Sequence, residues 1–69
     1  MERQPVVSSN IGSIGYDPSS SVLEVEFRSG MVYQYFDVPA HVHEALMSAP
    51  SHGEFLNANI KNVYRYTRL

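Results

Sequence analysis

The feature that most constrains the fold is a strict alternation of apolar and acidic residues near the middle of the chain. Within the segment 21–28, SVLEVEFR, the alternating residues are Leu23, Glu24, Val25, Glu26 and Phe27. Successive side chains of a β-strand point to opposite faces of a sheet, so this pattern predicts a strand with one buried and one solvated face. Serine and glycine follow at once, and the segment 31–36 then returns, which predicts an antiparallel hairpin.

The length of the hairpin loop decides on which face Tyr33 and Tyr35 lie, because a shift of one residue sends every side chain to the other face. With a two-residue loop, both tyrosines share a face with the glutamates. With a three-residue loop that ends in a left-handed Gly30, they share the apolar face, and Gln34 lies opposite Glu24. The three-residue loop is favoured because it matches apolar with apolar residues and avoids burying an unpaired amide. The two-residue loop remains the alternative.

Around this hairpin the sequence predicts one more strand at each end and two short helices. The first strand is expected at 8–17 and the final strand at 63–67, VYRYT. One helix is expected to begin near Pro39, and the spacing of Ser51 and Glu54 is that of a capping box at the start of a second helix. We therefore predict an α+β fold. It consists of a small antiparallel sheet of about four strands, in the order β-β-β-α-α-β along the chain, with two short helices packed on one face.

The size of the chain limits its organisation to a single domain, which we assign to residues 1–69 with a core of about 6–66. Domains this small commonly gain stability from disulfides, a metal or a second chain. The sequence has no cysteine, which excludes disulfides and thiolate metal sites, so we predict a homodimer. The lack of cysteine, of a long apolar segment and of an apolar leader predicts a cytoplasmic protein that does not enter the membrane.

Positive charge is concentrated at the end of the chain. The net charge is −2, yet the last ten residues contain Lys61, Arg65 and Arg68 and no acidic residue. Tyr64 and Tyr66 flank Arg65, and exposed rings beside cations are what proteins use to bind single-stranded RNA. These five residues are the candidate nucleic-acid-binding residues. The competing interpretation, which strand alternation favours, is a final strand with both tyrosines inward and Arg65 in solvent.

The sequence offers little for catalysis or metal binding. His41 and His43 lie about 200° apart around a helix, so they cannot ligate one ion from that helix. No ligand spacing typical of zinc is present. The chain also lacks a cysteine nucleophile, a phosphate-binding loop and a serine embedded in a catalytic motif. We therefore predict a non-catalytic module with no catalytic residues, no metal site and no cofactor.

An ordered set of residues spread along the chain resembles the KTSC domain family. The set comprises Ser8-Ser9, Gly15-Tyr16-Asp17, Gly30, Tyr33-x-Tyr35, Val38-Pro39, and Ser51-x-Gly53 leading through Phe55, Asn57 and Ile60 to Tyr64. The resemblance covers about residues 6–66. The family is named for its occurrence at the C-terminus of some lysyl-tRNA synthetases, and it also occurs as small stand-alone bacterial proteins.

This resemblance implies an accessory binding module that associates weakly with RNA in the context of tRNA. Four residues of the family motif, Tyr16, Gly30, Tyr33 and Tyr35, are then expected to serve the core or an interface. The alternative is a homodimeric protein-interaction or self-assembly module that binds no nucleic acid.

Overall fold

The computed structural model describes all residues from 1 to 69 and contains a five-stranded sheet with two helices. The strands are β1 (Gln4–Pro5), β2 (Ile11–Asp17), β3 (Val22–Phe27), β4 (Val32–Tyr35) and β5 (Tyr66–Arg68), and the helices are α1 (Ala40–Ser48) and α2 (His52–Asn59). The strands follow one another across the sheet in chain order, and every neighbouring pair is antiparallel. The predicted α+β fold is confirmed, and β1 is a strand that the sequence did not predict. Neither helix has the length and apolar character that crossing a membrane requires.

The hairpin between β3 and β4 has the three-residue loop. Leu23 pairs with Tyr35 and Val25 with Tyr33, as that loop predicts. The amide of Phe27 donates to the carbonyl of Met31 at 2.8 Å, which closes the strands. Gly30 has a φ of 97°, a left-handed conformation that glycine adopts without a steric cost. Both tyrosines therefore lie on the apolar face of the sheet.

The helices cover this apolar face. The nine residues of the core are Ile11, Ile14, Leu23, Val25, Tyr35, Val38, Leu46, Leu56 and Ile60. Helix α2 begins at the predicted cap, because the Ser51 hydroxyl accepts a hydrogen bond from the Glu54 amide at 3.2 Å. The opposite face of the sheet carries the glutamates of β3, and no helix packs on it.

The final strand is shorter and later than predicted. The sequence pattern placed it at 63–67, whereas β5 spans Tyr66–Arg68. The amides of Val63 and Tyr64 both donate to the carbonyl of Ile60 at 3.1 Å, so the chain is still turning after α2. Asn62 takes a left-handed φ of 67° within this turn. The alternating segment VYRYT is therefore divided between this turn and β5.

The first strand is also shorter than predicted. The sequence placed its start at Ser8, but β2 begins at Ile11 because Ser8 forms a turn in which its hydroxyl accepts from the Ile11 amide at 3.3 Å. The register of β2 shifts between Ile11 and Ser13, which marks a bulge at Gly12.

Candidate nucleic-acid interface

The larger of two cavities in the protein is an open groove between the β3–β4 hairpin and α2, with a volume of about 500 Å³. We call it the aromatic groove. Its apolar lining consists of Phe27, Met31, Tyr33, Tyr35 and Leu56, and its polar lining consists of Ser9, Asn10, Arg28, Ser29, Asn57 and Lys61. The groove exists because α2 covers only part of the apolar face and leaves the end near the hairpin loop open.

The rings that line the groove form one continuous cluster with Tyr66 beside them, and this cluster is graded from buried to exposed. Phe27 meets Tyr33 edge to face, with 5.7 Å between ring centroids. Tyr66, on the neighbouring strand β5, lies 5.6 Å from Tyr33 and 6.0 Å from Tyr35. Tyr35 is 3% exposed and forms the floor, Phe27 and Tyr33 are half-buried, and Tyr66 is 56% exposed. Burial, followed by the charges of the neighbouring phenols, raises the pKa of Tyr35.

The groove is positively charged although the protein as a whole is acidic. Its lining includes Arg28 and Lys61 and no acidic residue. Arg68 lies opposite Tyr33 in the β4–β5 register and therefore on the same face. The ion pairs of the protein involve only Arg3 and Arg65, so these three cations have no carboxylate partner. The arrangement suits a polyanion that carries flat rings.

The five candidate nucleic-acid-binding residues are not all brought together. Lys61 lines the groove, and Tyr66 and Arg68 extend it across β5. Tyr64 is half-buried against the core and does not present its ring at the groove. The Arg65 side chain points to the face of the sheet opposite to the one that carries Tyr66.

Arg65 is occupied by two contacts near the end of β4. Its Nη2 lies 3.4 Å from Oδ2 of Asp37, and its Cζ lies 5.0 Å above the centre of the Phe36 ring. The Arg65 side chain remains 74% exposed, but its charge is partly balanced by Asp37. Arg65 is therefore separated from the aromatic groove by orientation and by its ion pair.

Tyr16, another residue of the family motif, lies outside the groove and packs between the sheet and α1. It donates its hydroxyl to the carbonyl of Val38 at 2.6 Å, which ties β2 to the segment before α1. Its ring stacks on His43 of α1, with 4.7 Å between centroids and 9° between planes. Burial in this stack lowers the pKa of His43. These contacts hold α1 against the sheet and leave Tyr16 little to offer a ligand.

The face of the sheet without helices carries a polar network that is fully hydrogen-bonded. Arg3 donates to both Ser13 and Glu24, and Gln34 donates to Glu24 at 2.8 Å. Burial alone would raise the pKa of Glu24, but the hydrogen bonds from Gln34 and Arg3 and the charge of Arg3 outweigh it and hold that pKa below its ordinary value. No buried side-chain nitrogen or oxygen of the protein lacks a hydrogen-bond partner. The network thus has the character of a structural clamp.

Gly15 lets the N-terminal segment reach this network. A Cβ at that position would lie 2.7 Å from the carbonyl oxygen of Glu2 and 2.9 Å from Cγ of Arg3. Only a residue without a side chain allows Arg3 to lie across β2 and reach Glu24. The second cavity, of about 370 Å³, lies beside this segment and is lined in part by Arg3, Tyr16 and His43.

No cluster of histidine, aspartate and glutamate side chains is arranged to hold a metal ion. His41 is exposed, whereas Nδ1 of His52 lies 2.9 Å from the carbonyl of Leu46. The three histidines of the chain are thus dispersed among surface and packing contacts.

Several groove residues were missed by sequence reasoning. Phe27 was placed on the buried face of its strand, Asn57 was named only within the family resemblance, and Arg28 and Met31 were given no role. They come from the hairpin and from α2, which are about 30 residues apart in the chain, so no local pattern joins them. One usable signal was present: Arg28 directly follows the last apolar residue of β3 and must therefore lie beside it at the end of the hairpin.

Comparisons with known proteins agree on one family. The profile of the KTSC domain matches residues 7–64. A protein of Stutzerimonas stutzeri is 46% identical over 70 residues, which cover 100% of this chain and 99% of that protein. The crystal structure of a KTSC domain protein from Yersinia pestis matches with a TM-score of 0.96 and 46% identity, covering 99% of this chain and 96% of that one.

Part of a much larger enzyme is also similar to this chain. A lysine–tRNA ligase of Nostoc sp. is 43% identical over 54 residues, which cover 78% of this chain and 10% of the ligase. The same sequence pattern thus occurs both over the length of a small protein and within a tenth of a large one.

Proposed function

The chain belongs to the KTSC domain family, and from that premise we propose that it binds single-stranded RNA in the aromatic groove. The observation that carries the proposal is the combination of partly exposed rings with unpaired cations and no acidic residue in the groove lining. Unstacked bases gain free energy by stacking on aromatic side chains, while the phosphates are attracted to nearby cations.

The graded burial of the rings supports separate roles for them. Tyr35 is fixed in the core and holds Tyr33 and Tyr66 in place. Tyr66 and the half-buried Tyr33 present ring surface to which a base can add. Because the floor is preorganised by packing, binding orders few side chains and loses little conformational entropy.

The distribution of acidic residues supports the proposal as well. Glu24 and Glu26 both point to the face without helices, where Arg3 contacts each of them. The sheet itself therefore separates these negative charges from the groove. At physiological ionic strength the Debye length is about 8 Å, so the local charge of the groove outweighs the net charge of the protein for a bound phosphate.

The related ligases supply a biological context. Their name gives tRNA as a substrate, and the region similar to this chain occupies about a tenth of their length. A small accessory module that holds a single-stranded part of an RNA fits such a position. The non-catalytic role that we propose for this chain is the same: to hold RNA without altering it.

The proposal is tested by titrating fluorescently labelled oligouridine and tRNA at low and moderate salt. Wild-type protein should bind both, and the logarithm of the association constant should fall with the logarithm of salt concentration with a slope of about −2, as expected for three cations on a single strand. Tyr66→Ala should weaken binding about tenfold, the value of one stacked base. Tyr66→Phe is the matched control, since it keeps the ring and should bind nearly as well.

Two results would contradict the proposal. The first is no binding of either RNA at low salt by protein that is folded. The second is binding that Tyr66→Ala leaves unchanged, which would locate any RNA contact away from the aromatic groove.

A further inference from the structure

The two edges of the sheet differ in how they meet solvent. β1 forms one edge and is only two residues long, one of which is Pro5, whose backbone has no donor. β5 forms the other edge, contains no proline, and is exposed at all three residues. No other element covers it. An uncovered edge of this kind is a template for a further strand.

The hydrogen bonds between β4 and β5 fix which backbone groups of β5 are free. The Arg65 carbonyl accepts from the Phe36 amide at 2.9 Å, and the Leu69 amide donates to the Val32 carbonyl at 2.8 Å. In an antiparallel pair these groups alternate along the strand, so Thr67 also points its backbone groups at β4. The amide and carbonyl groups of Tyr66 and Arg68 therefore point outward, away from the sheet.

We propose that two copies of this chain pair antiparallel through their β5 edges, with the two-fold axis at Thr67. In this register Thr67 lies opposite Thr67 of the second copy, and Tyr66 lies opposite Arg68 of the second copy. The outward groups of Tyr66 and Arg68 then exchange hydrogen bonds with their counterparts. The arrangement is self-complementary, which a two-fold interface requires.

The side chains fit the same register. Tyr66 and Arg68 both lie on the face that carries the helices, so each Arg68 guanidinium comes beside the Tyr66 ring of the other copy, a favourable cation–π pairing. On the other face, the exposed Leu69 lies opposite the aliphatic stem of Arg65. The joined sheet has ten strands, and both aromatic grooves lie on the same side of it. This inference goes beyond RNA binding and does not depend on it.

Disulfide formation tests the register directly, because the chain has no cysteine of its own. Directly opposite residues without mutual hydrogen bonds have Cα atoms about 4.5 Å apart, which suits a disulfide. Thr67→Cys should therefore form a covalent dimer readily under mild oxidation. Leu69→Cys is the matched control: its two copies would lie four residues apart along the strands, roughly 13 Å, and should not link.

Sedimentation equilibrium tests the backbone contact. Arg68→Ala and Arg68→Pro both remove the guanidinium, but only Arg68→Pro removes the outward amide, which makes no hydrogen bond within one copy. Arg68→Pro should therefore raise the dimer dissociation constant at least tenfold above that of Arg68→Ala, while circular dichroism shows an unchanged fold. Added salt should strengthen the dimer by screening the arginines of the two copies, whereas it weakens RNA binding.

Three results would overturn the inference. They are a wild-type protein that stays monomeric at high micromolar concentration, equal cross-linking of Thr67→Cys and Leu69→Cys, and a dimer with equal stability in Arg68→Ala and Arg68→Pro. None of these results bears on whether monomeric protein binds RNA, so the two proposals fail separately.

Discussion

The two faces of the sheet use charged residues in opposite ways. On the face without helices, Arg3 donates a hydrogen bond to Glu24, and every buried side-chain nitrogen or oxygen has a hydrogen-bond partner. On the face with helices, Lys61 and Arg68 lie beside a partly open cluster of rings and have no carboxylate partner. Paired charges stabilise one face, and unpaired charges make the other available to a ligand. The sign of the net charge therefore says little about what this protein can bind.

One hairpin loop produces this division. Alternation along β3 separates Glu24 from Leu23 and Val25, and the three-residue loop sends Tyr33 to the side of the apolar residues. With a loop one residue shorter, the tyrosines would share a face with the glutamates. Gly30 thus sets both the composition of the core and the charge of the groove.

The largest expected effect is a difference in the free energy of unfolding between a substitution at the floor of the groove, Tyr35, and one at its rim, Tyr66. Tyr35 and Tyr66 are register partners on the same face, but Tyr35 is 3% exposed and Tyr66 is 56% exposed. Tyr35→Ala should lower the free energy of unfolding by about 3–5 kcal/mol, as for other buried aromatic truncations. Tyr66→Ala should lower it by less than about 1 kcal/mol, as at other surface positions. Urea denaturation measures both, and equal losses would contradict the assignment of Tyr66 to the rim.

The next effect concerns the clamp on the opposite face. Arg3→Met should lower the free energy of unfolding by about 2 kcal/mol, because it removes a charge-assisted hydrogen bond and leaves the carboxylate of Glu24, which is 5% exposed, with only Gln34 as a donor. Arg65→Met is the matched control, since its ion pair with Asp37 is exposed and such pairs contribute little. RNA affinity of the folded Arg3→Met protein should be unchanged. A loss of RNA affinity would show that the two faces are not independent.

A smaller effect follows from the lowered pKa of Glu24. Because the pKa of Glu24 in the folded protein lies below its ordinary value of 4.5, the unfolded chain takes up the proton first as the pH falls. The contribution of Glu24 to stability is therefore complete above pH 4.5 and is lost as the pH falls through the lower folded value. As the pH is lowered from about 6 to 3, the urea midpoint should fall less steeply in Glu24→Gln than in wild type.

Some acid sensitivity should remain in Glu24→Gln. Hydrogen bonds from Ser19 and Ser20 also lower the pKa of Asp17, which therefore contributes in the same direction. Urea midpoints that fall equally steeply with decreasing pH in wild type and Glu24→Gln would contradict the assignment of this acid sensitivity to Glu24.

What could be predicted from the sequence was set by local rules. Alternation in β3, turn chemistry at Gly30 and the cap at Ser51 each depend on residues close in the chain, and each is confirmed. The prediction of a strand at 63–67 was wrong, because alternation of residue types does not reveal that the amides of Val63 and Tyr64 donate hydrogen bonds to the carbonyl of Ile60.

The candidate site was only partly predictable. Lys61, Tyr66 and Arg68 were singled out by composition, and their position beside the hairpin depends on long-range pairing of β4 with β5. β1 was not predicted because a two-residue strand that contains proline has no periodic pattern. The role of Gly15 was not predictable either, because it depends on Glu2 and Arg3 lying against this residue. Contacts between distant segments are what the sequence pattern could not supply.

The smallest expected effect separates the two cations that the sequence treats as equivalent. Lys61 lines the aromatic groove without a carboxylate partner, whereas Arg65 points to the opposite face and is paired with Asp37. Lys61→Ala should reduce the magnitude of the salt slope of RNA binding by about 0.7, the value of one phosphate contact on a single strand. Arg65→Ala should leave the slope unchanged within error, because only a screened, long-range attraction is lost. The reverse result, a slope that depends on Arg65 and not on Lys61, would place the RNA on the face that carries the glutamates. The separation of the glutamates from the groove by the sheet would then no longer explain binding.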